Sequence, residues 1–206
     1  NSRLLHEFEK SFFTGSAQSN FAALLEYDYL KYFLPLTVET LAEQPEARSL
    51  IDAGLSASDQ RYADGRSLNP GFLLGVMLWP TLQVYLQREQ EHETSFFQAL
   101  HTAIHRVMDY QQQTTAIPRR YVGIIKSMWI LQYNLERRRA KRVLSLAKHR
   151  YFRAGYDLLV LRAQGDVTLQ PIADWWLTFS TASSKEQTTM REQLIENANR
   201  PKSKAD

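Results

Sequence analysis

The sequence predicts an all-α protein, an irregular bundle of many helices with no β-sheet. Helix-start signals are frequent, and between Pro118 and Leu135 apolar side chains recur at steps of three and four residues, the spacing of one helical face. Strand signals are nearly absent. The hairpin-type dipeptide Asp64-Gly65 lacks alternating apolar and polar flanks, so we interpret it as a loop between helices.

The composition is that of a folded chain with a sizeable core. Of the 206 residues, 44% are hydrophobic, enough for one large or two small helical domains. Cysteine is absent, which excludes disulfides, thiolate nucleophiles and cysteine-ligated zinc and favours a reducing compartment. The longest apolar stretch, Gly71–Pro80, is too short to span a bilayer, and the first residues lack the apolar region of a signal peptide. We expect a soluble, cytoplasmic protein.

Two helix starts organise the first part of the chain. Ser2 is placed to cap a first helix, RLLHEFEKSFF, that stops near Gly15. Asn69 followed by Pro70 is a cap and first-turn pair that opens an apolar helix, GFLLGVMLW. Residues 59–68, which precede this helix, are interpreted as a linker.

A helix of about five turns is predicted to begin at Pro118. Its buried face consists of Tyr121, Ile124, Ile125, Met128, Leu131, Gln132 and Leu135. The next segment, residues 138–151, is predicted to be an amphipathic helix, because placing successive residues 100° apart separates basic from apolar side chains. On one side lie Arg138, Lys141, Arg142, Ser145, Lys148 and His149, and on the other Ala140, Val143, Leu144 and Ala147.

The segment FRAGYDLLVLRA, residues 152–163, is apolar on nearly every side. It is therefore predicted to be a central buried helix that ends before Gly165. Within it, Arg153 and Asp157 lie four residues apart and are predicted to form a partly buried structural pair.

The C-terminal region is predicted to be polar. Ser183 and Glu186 have the spacing of a capping box for a last polar helix, and residues 200–206 are predicted to be disordered. The predicted domain organisation is residues 1–58, residues 69–181 with the basic helix, and residues 182–206 with the polar helix and tail.

Positive charge is concentrated in the middle of the chain. Residues 119–162 hold twelve Lys/Arg and two acids, whereas the rest of the chain holds 13 Lys/Arg and 20 Asp/Glu. This separation of sign predicts a docking surface for a polyanion, and RNA is favoured because the planar fork of arginine grips phosphate oxygens. The predicted RNA-binding residues are Arg119, Arg120, Lys126, Arg137, Arg138, Arg139, Lys141, Arg142, Lys148 and Arg150.

Other interpretations of this cationic face stay open. The cations could form a solvated helix end that favours the C-terminal helix dipole, or contact an anionic membrane. Four interleaved aromatic residues could stack on unpaired bases, although core positions are favoured for them. These are Tyr121, Trp129, Tyr133 and Tyr151.

No catalytic residue and no metal site is predicted in this chain. The glutamates in residues 7–9 and 91–93 are two apart, and on a helix such residues point about 200° away from each other. His101 and His105 have the spacing of zinc ligands on a helix but lack the glutamate of a HExxH motif, so two solvated or capping histidines are the preferred interpretation. Glycine-rich phosphate loops and serine elbow motifs are absent.

Three stretches of the sequence resemble one known family. Residues 117–163 and 66–80 (RSLNPGFLLGVMLWP) resemble the C-terminal body of the bacterial poly(A) polymerases, which are class II nucleotidyltransferases like the CCA-adding enzymes. Residues 2–15, SRLLHEFEKSFFTG, are similar to the neck helix of that family. There an arginine and, four residues on, a glutamate recur after the nucleotide-binding region, and Arg3 and Glu7 match them.

The resemblance implies the neck and body of an enzyme that polyadenylates RNA, adding AMP from ATP to RNA 3′ ends with Mg²⁺. The catalytic head of the family, with its Gly-Ser turn and carboxylate pair, is expected to precede this sequence. The chain alone is therefore expected to be inactive, to bind no cofactor, and to hold single-stranded RNA 3′ ends for the head. Arg3 and Glu7 are expected near the nucleotide site. The C-terminal RPKSKAD carries only three cations, fewer than the strongly basic extension of the family.

Two alternatives to this function differ in class. One is a stand-alone helical adaptor, whose cationic face binds an acidic protein or a structured RNA without any polymerase activity. The other is a complete enzyme that uses the histidine and glutamate residues around positions 91–105.

Overall fold

The computed structural model describes residues 2–93 and 95–199, apart from the side chain of Ser2, and these residues form helices and no strand. The predicted all-α fold is confirmed. The α-helices are α1 (Ser2–Phe12), α2 (Ala17–Glu26), α3 (Pro35–Glu43), α4 (Arg48–Ala63), α5 (Pro70–Met77), α6 (Trp79–Gln90), α7 (Phe96–Thr114), α8 (Arg119–Arg137), α9 (Val143–Ala147), α10 (Phe152–Ala163), α11 (Gln170–Thr181) and α12 (Ser184–Asn199). The predicted disorder of residues 200–206 lies outside the described residues.

The predicted start of the apolar helix at Asn69 and Pro70 is confirmed, and a first helix is present, whereas the predicted capping by the Ser2 side chain lies outside the described residues. Helix α1 covers the predicted segment except Phe13, and the chain after it passes through Gly15 with a φ of +80°, a left-handed conformation that glycine adopts without strain. At α5, the Asn69 side chain accepts a hydrogen bond from the backbone N–H of Phe72 at 3.2 Å, and Pro70 occupies the first turn.

The predicted linker is shorter than expected. Helix α4 continues through residue 59 to Ala63, so the prediction of a linker from residue 59 is wrong for its first half. The helix continues because Ile51, Leu55 and Ser58 keep burying one side of it, at helical spacing. It is followed by Gly65 with a φ of +67°. The predicted division into domains stays a prediction.

The chain forms two compact units, one up to Trp129 and the other from Ile130. The first unit has α5 as its most buried helix. The Trp129 indole N–H donates to the carbonyl of Gly75 at 2.9 Å, and Gly75 has no side chain because a Cβ there would lie 2.2 Å from the Met128 methyl group. The first half of α8 therefore packs tightly against α5.

The predicted buried face of α8 is confirmed. All its members are buried except Ile124, which is half-buried. Gln132, the polar residue on that face, is fully buried in the second unit. Its side-chain amide N–H donates to the backbone carbonyl of Gly155 in α10 at 2.8 Å. The core of the second unit consists of Leu131, Leu135, Val143, Leu146, Leu159, Ala163, Leu169, Ala173, Trp176 and Phe179.

The prediction of a continuous basic helix over residues 138–151 is wrong. Only Val143–Ala147 is helical, because Arg138 takes a φ of +40° and stops the regular course of α8. A tight turn follows, in which the N–H groups of Arg142 and Val143 both donate to the carbonyl of Arg139, at 2.7 and 3.1 Å. We call residues 138–151 the basic connection.

The predicted partial burial of the Arg153–Asp157 pair is wrong for Arg153, whereas Asp157 is half-buried. The pair exists, with Arg153 Nε 2.9 Å from Asp157 Oδ1, but the Arg153 side chain is 79% exposed. Helix α10 buries one side, through Gly155, Leu158 and Leu159, and leaves Arg153 in solvent. An apolar sequence around an arginine therefore did not imply that the arginine is covered.

Because Arg153 is exposed, we expect its ion pair with Asp157 to contribute little to the free energy of unfolding. Arg153→Ala should lower the free energy of unfolding by less than about 1 kcal/mol, the range for exposed ion pairs. Urea denaturation of the variant and of the unchanged chain measures the difference. A loss of about 3 kcal/mol or more, as for a buried pair, would contradict the exposed geometry.

The capping box at the start of α12 is confirmed. The hydroxyl and backbone N–H of Ser183 each donate to Glu186 Oε2 at 2.7 Å, and the Glu186 N–H donates back to the Ser183 hydroxyl at 3.4 Å. The bond from the hydroxyl, with a smaller effect of the bond from the N–H, holds the pKa of Glu186 below its ordinary value.

This lowered pKa predicts a pH dependence of α12. A carboxyl group whose pKa is lower in the folded chain stabilises it above the pKa of the unfolded chain, and that contribution disappears as pH falls through the folded pKa. The first turn of α12 should therefore fray on acidification below about pH 4, and less so in Glu186→Gln, which carries no titrating group there. NMR amide shifts of that turn measure the change, and identical acid titrations of the two proteins would refute it.

No helix within the described residues is long and apolar enough to cross a bilayer.

Candidate nucleic-acid interface

The basic connection turns its cations outward from an anchored backbone. Val143 and Leu146 are buried in the core of the second unit, and the guanidinium of Arg191 in α12 donates to the carbonyl of Ala140 at 3.2 Å. Five cations of this segment are exposed, and we call them the outward cations. They are Arg139, Lys141, Arg142, Lys148 and Arg150.

The outward cations have no ion-pair partner within the described residues. Among the described residues, no carboxylate lies within ion-pair distance of any of the five, whereas Arg153 and Arg162 farther along the chain are paired. Five uncompensated charges within twelve consecutive residues produce a positive potential that attracts polyanions. Because no carboxylate of the described part of the chain pairs with them, they are available for phosphate contacts.

Arg138 differs from the outward cations. It was predicted on their solvent-facing side, but it is half-buried, and its guanidinium carbon lies 5.8 Å from the centre of the Trp175 ring. Burial lowers the pKa of Arg138, although an arginine stays charged. Through its contact with Trp175, Arg138 anchors the turn that follows α8. Arg137 is exposed at the end of α8.

The aromatic residues of this region divide between core and surface. Trp129 is fully buried and Tyr121 nearly so, which agrees with the core positions favoured for them. Tyr133 and Tyr151 are half-buried. The Arg150 guanidinium lies 4.8 Å from the Tyr151 ring centre, so Tyr151 positions one outward cation.

Three of the predicted RNA-binding residues belong to the first unit, at the start of α8. Arg119 is exposed and Lys126 half-buried. Arg120 donates to the Tyr121 hydroxyl at 3.2 Å, which raises the pKa of Arg120, and that hydroxyl donates to Glu9 of α1 at 3.2 Å. Arg120 is thus engaged within the chain. The other seven predicted residues belong to the second unit.

The two neck residues lie one turn apart on α1. Arg3 is exposed, and the carboxylate of Glu7 accepts a hydrogen bond from Lys10 at 3.4 Å. Their expected place near a nucleotide site stays a prediction.

The histidines show no zinc geometry within the described residues. His105 Nδ1 lies 2.7 Å from Asp109 of the same helix, and His101 is exposed. No group of three or more His, Asp or Glu side chains that could hold a metal ion occurs in the described part of the chain.

Sequence reasoning missed a polar network that connects α8 to α10. The Arg162 guanidinium donates to the Glu136 carboxylate at 2.7 Å and to the side-chain amide oxygen of Gln132 at 3.1 Å. The side chains of Arg162 and Glu136 are 16% and 29% exposed. The spacing of 26 residues between them carries no local signal. Gln132, a polar residue on an otherwise apolar helical face, was the one sequence signal for this network. A buried side-chain amide needs hydrogen-bond partners, so its position predicts polar partners nearby.

Comparisons with known proteins agree with this cationic character. The profile of the family described as "Polymerase A arginine-rich C-terminus" matches residues 92–206, more than half of the chain. A poly(A) polymerase I of Salmonella typhimurium is 31% identical over 197 residues, which cover 93% of the chain and 42% of that protein. A poly(A) polymerase I of Escherichia coli is 30% identical over 199 residues, covering 94% and 43%. One of Haemophilus influenzae is 29% identical over 203 residues, covering 96% and 44%. The chain thus spans less than half the length of these relatives.

Proposed function

Because the chain belongs to the family of the polymerase A arginine-rich C-terminus, we propose that it is the RNA-holding neck and body of a poly(A) polymerase. In this role it binds single-stranded RNA near the 3′ end and presents that end to a catalytic head. The whole enzyme adds AMP from ATP to RNA.

One observation supports this proposal: the outward cations are exposed, pair with no carboxylate among residues 2–93 and 95–199, and lie on a segment whose backbone is anchored. Cations that are paired with carboxylates of the same chain attract an anionic ligand less strongly. Cations on a flexible segment lose conformational entropy when the ligand binds. Arginine and lysine side chains presented in this way contact phosphates, which fixes the position of an RNA strand without reading its sequence. Binding that tolerates many sequences is what a polymerase with varied RNA substrates needs.

Nucleotidyl transfer is assigned to the rest of the enzyme. Transfer of AMP from ATP requires carboxylates that hold Mg²⁺, and the described residues contain no such cluster. We therefore attribute no step of magnesium or ATP chemistry to the side chains of this chain. A cytoplasmic location stays a prediction from the sequence.

The test of this role is RNA binding without polymerisation. The purified chain should bind a short fluorescein-labelled oligoadenylate in an anisotropy titration, and it should add no AMP to that RNA when incubated with Mg²⁺ and labelled ATP. An acidic polymer without bases, such as a short polyglutamate, serves as the competitor that separates RNA binding from general anion binding. Primer extension that co-purifies with the chain would overturn the assignment of catalysis elsewhere. Failure to bind oligoadenylate at low salt would overturn the RNA-holding role.

A further inference from the structure

Three tyrosines stand exposed on the first unit, in the connection between α2 and α3. Tyr27, Tyr29 and Tyr32 are 68%, 59% and 56% exposed, and the ring centres of Tyr29 and Tyr32 lie 6.4 Å apart. We call them the tyrosine platform. Single exposed apolar residues are common on protein surfaces, but a cluster of exposed aromatic side chains marks an interaction site, and tyrosine is among the residues enriched in binding hot spots.

The platform rests on an anchored backbone. Leu30 lies between Tyr29 and Tyr32 in the sequence, and Leu34 lies two residues after Tyr32. Both leucines are fully buried. The carbonyl of Phe33 accepts two hydrogen bonds, from the amide of Gln111 at 2.7 Å and from the hydroxyl of Thr115 at 3.2 Å. These contacts hold the tyrosines outward before any partner arrives, which lowers the entropy cost of binding.

The surroundings of the platform are acidic. Glu26 and Asp28 are exposed and adjoin the platform residues in the sequence, and Lys31, the cation within residues 26–32, is hydrogen-bonded to Asp28. Residues 1–118, which include the platform, hold 14 Asp/Glu and eight Lys/Arg. A negative surface repels the phosphates of RNA and attracts cationic groups.

The ring faces add a second reason to expect a cationic partner. The face of an aromatic ring is negative, so a guanidinium or ammonium group is attracted to it. The chain itself shows this, since the Lys31 ammonium lies 5.5 Å from the centre of the Tyr32 ring. Arginine suits the site better than lysine, because a planar guanidinium stacks on a ring and can donate to a carboxylate at the same time.

We propose that the tyrosine platform is a docking site for an arginine-bearing segment of a partner protein. The guanidinium groups of the partner stack on Tyr29 and, in place of Lys31, on Tyr32, and the carboxylates of Glu26 and Asp28 accept their hydrogen bonds, Asp28 after release of Lys31. This interaction is separate from RNA holding, which uses the cations of the second unit, and does not depend on it.

The probe for this site is a short fluorescein-labelled peptide of alternating arginine and glycine, compared with a peptide in which neutral citrulline replaces arginine. The chain should bind the arginine peptide and not the citrulline peptide. The variant Tyr27→Leu/Tyr29→Leu/Tyr32→Leu keeps apolar bulk but loses the rings, and it should bind the arginine peptide at least about tenfold more weakly. Its melting temperature should stay unchanged, because the rings are exposed. Each tyrosine is also changed singly, so that a misfolded triple variant would not remove the test.

Two matched controls separate the platform from general negative charge. Glu26→Gln/Asp28→Asn should weaken peptide binding, while Glu91→Gln/Glu93→Gln, which removes the same charge from exposed positions elsewhere, should leave it unchanged. Tyr110→Leu, at another exposed tyrosine, should also have no effect. Equal peptide affinity in all these proteins would overturn the proposal. So would a loss of oligoadenylate binding, with peptide binding kept, in the tyrosine variants, because the platform would then bind RNA.

Discussion

Replacing Arg162 with methionine should lower the free energy of unfolding by about 3 kcal/mol. The guanidinium is the shared donor to Glu136 and Gln132, and its removal leaves a carboxylate and an amide oxygen without that partner in a largely buried place. Methionine fills much of the same volume, so the loss reports the polar contacts rather than a cavity. The expected value is at the lower end of the range for a broken buried pair, because Glu136 keeps 29% of its side-chain exposure.

Urea denaturation checks this value, and α10 offers a matched control. Arg153→Met changes the same residue type in the same helix at an exposed position and should cost less than about 1 kcal/mol. The double variant Arg162→Met/Glu136→Leu should recover part of the loss, since replacing both members of a buried pair leaves no uncompensated charge. If Arg162→Met and Arg153→Met were equally stable, the network would not be what holds α8 to α10.

Removing four outward cations should weaken RNA binding at least about tenfold, or about 1.4 kcal/mol. The variant changes Arg139, Lys141, Arg142 and Lys148 to glutamine. Their side chains are exposed and unpaired among the described residues, so the melting temperature should not fall. Arg138 is kept, because its half-buried position over Trp175 gives it a structural role. Anisotropy titration with labelled oligoadenylate measures the loss, and sequences other than adenylate should lose affinity to a similar extent.

A second quadruple variant controls for net charge. Lys10, Arg66, Arg88 and Lys185 are exposed cations outside the basic connection, and changing all four to glutamine removes the same charge. This variant should keep most of the RNA affinity. Equal losses in the two variants would mean that RNA responds to the overall charge of the chain and not to a defined surface.

Much of the helical organisation could be predicted because its signals are local. The cap at Asn69 and the capping box at Ser183 depend on neighbouring residues, and the buried face of α8 depends on helical spacing. The end of α8 could not be predicted in the same way. The left-handed conformation of Arg138 goes with a tertiary environment, in which Trp175 lies against its guanidinium and Arg191 holds the next turn.

The charge pattern predicted which segment carries the candidate site, but not how each cation is used. A wheel drawn for residues 138–151 placed Arg138 with the solvated cations and left Arg139 off the basic side, whereas the tight turn covers Arg138 and exposes Arg139. The same limit applied to α10, where an apolar sequence suggested that the Arg153–Asp157 pair is partly buried, although Arg153 is exposed. The more covered arginine of this helix is Arg162, at 16% side-chain exposure, and its partner Glu136 lies in a different helix.

The salt dependence of RNA affinity tests most directly whether the outward cations hold phosphates. Each phosphate contact on a single strand contributes a slope of about −0.7 to the plot of log affinity against log salt concentration. We expect the slope for the variant with Arg139, Lys141, Arg142 and Lys148 changed to glutamine to be shallower than that of the unchanged chain by up to about 3. The control variant at Lys10, Arg66, Arg88 and Lys185 should keep most of the slope. Parallel salt plots for the unchanged chain and the first variant would contradict RNA holding by the basic connection.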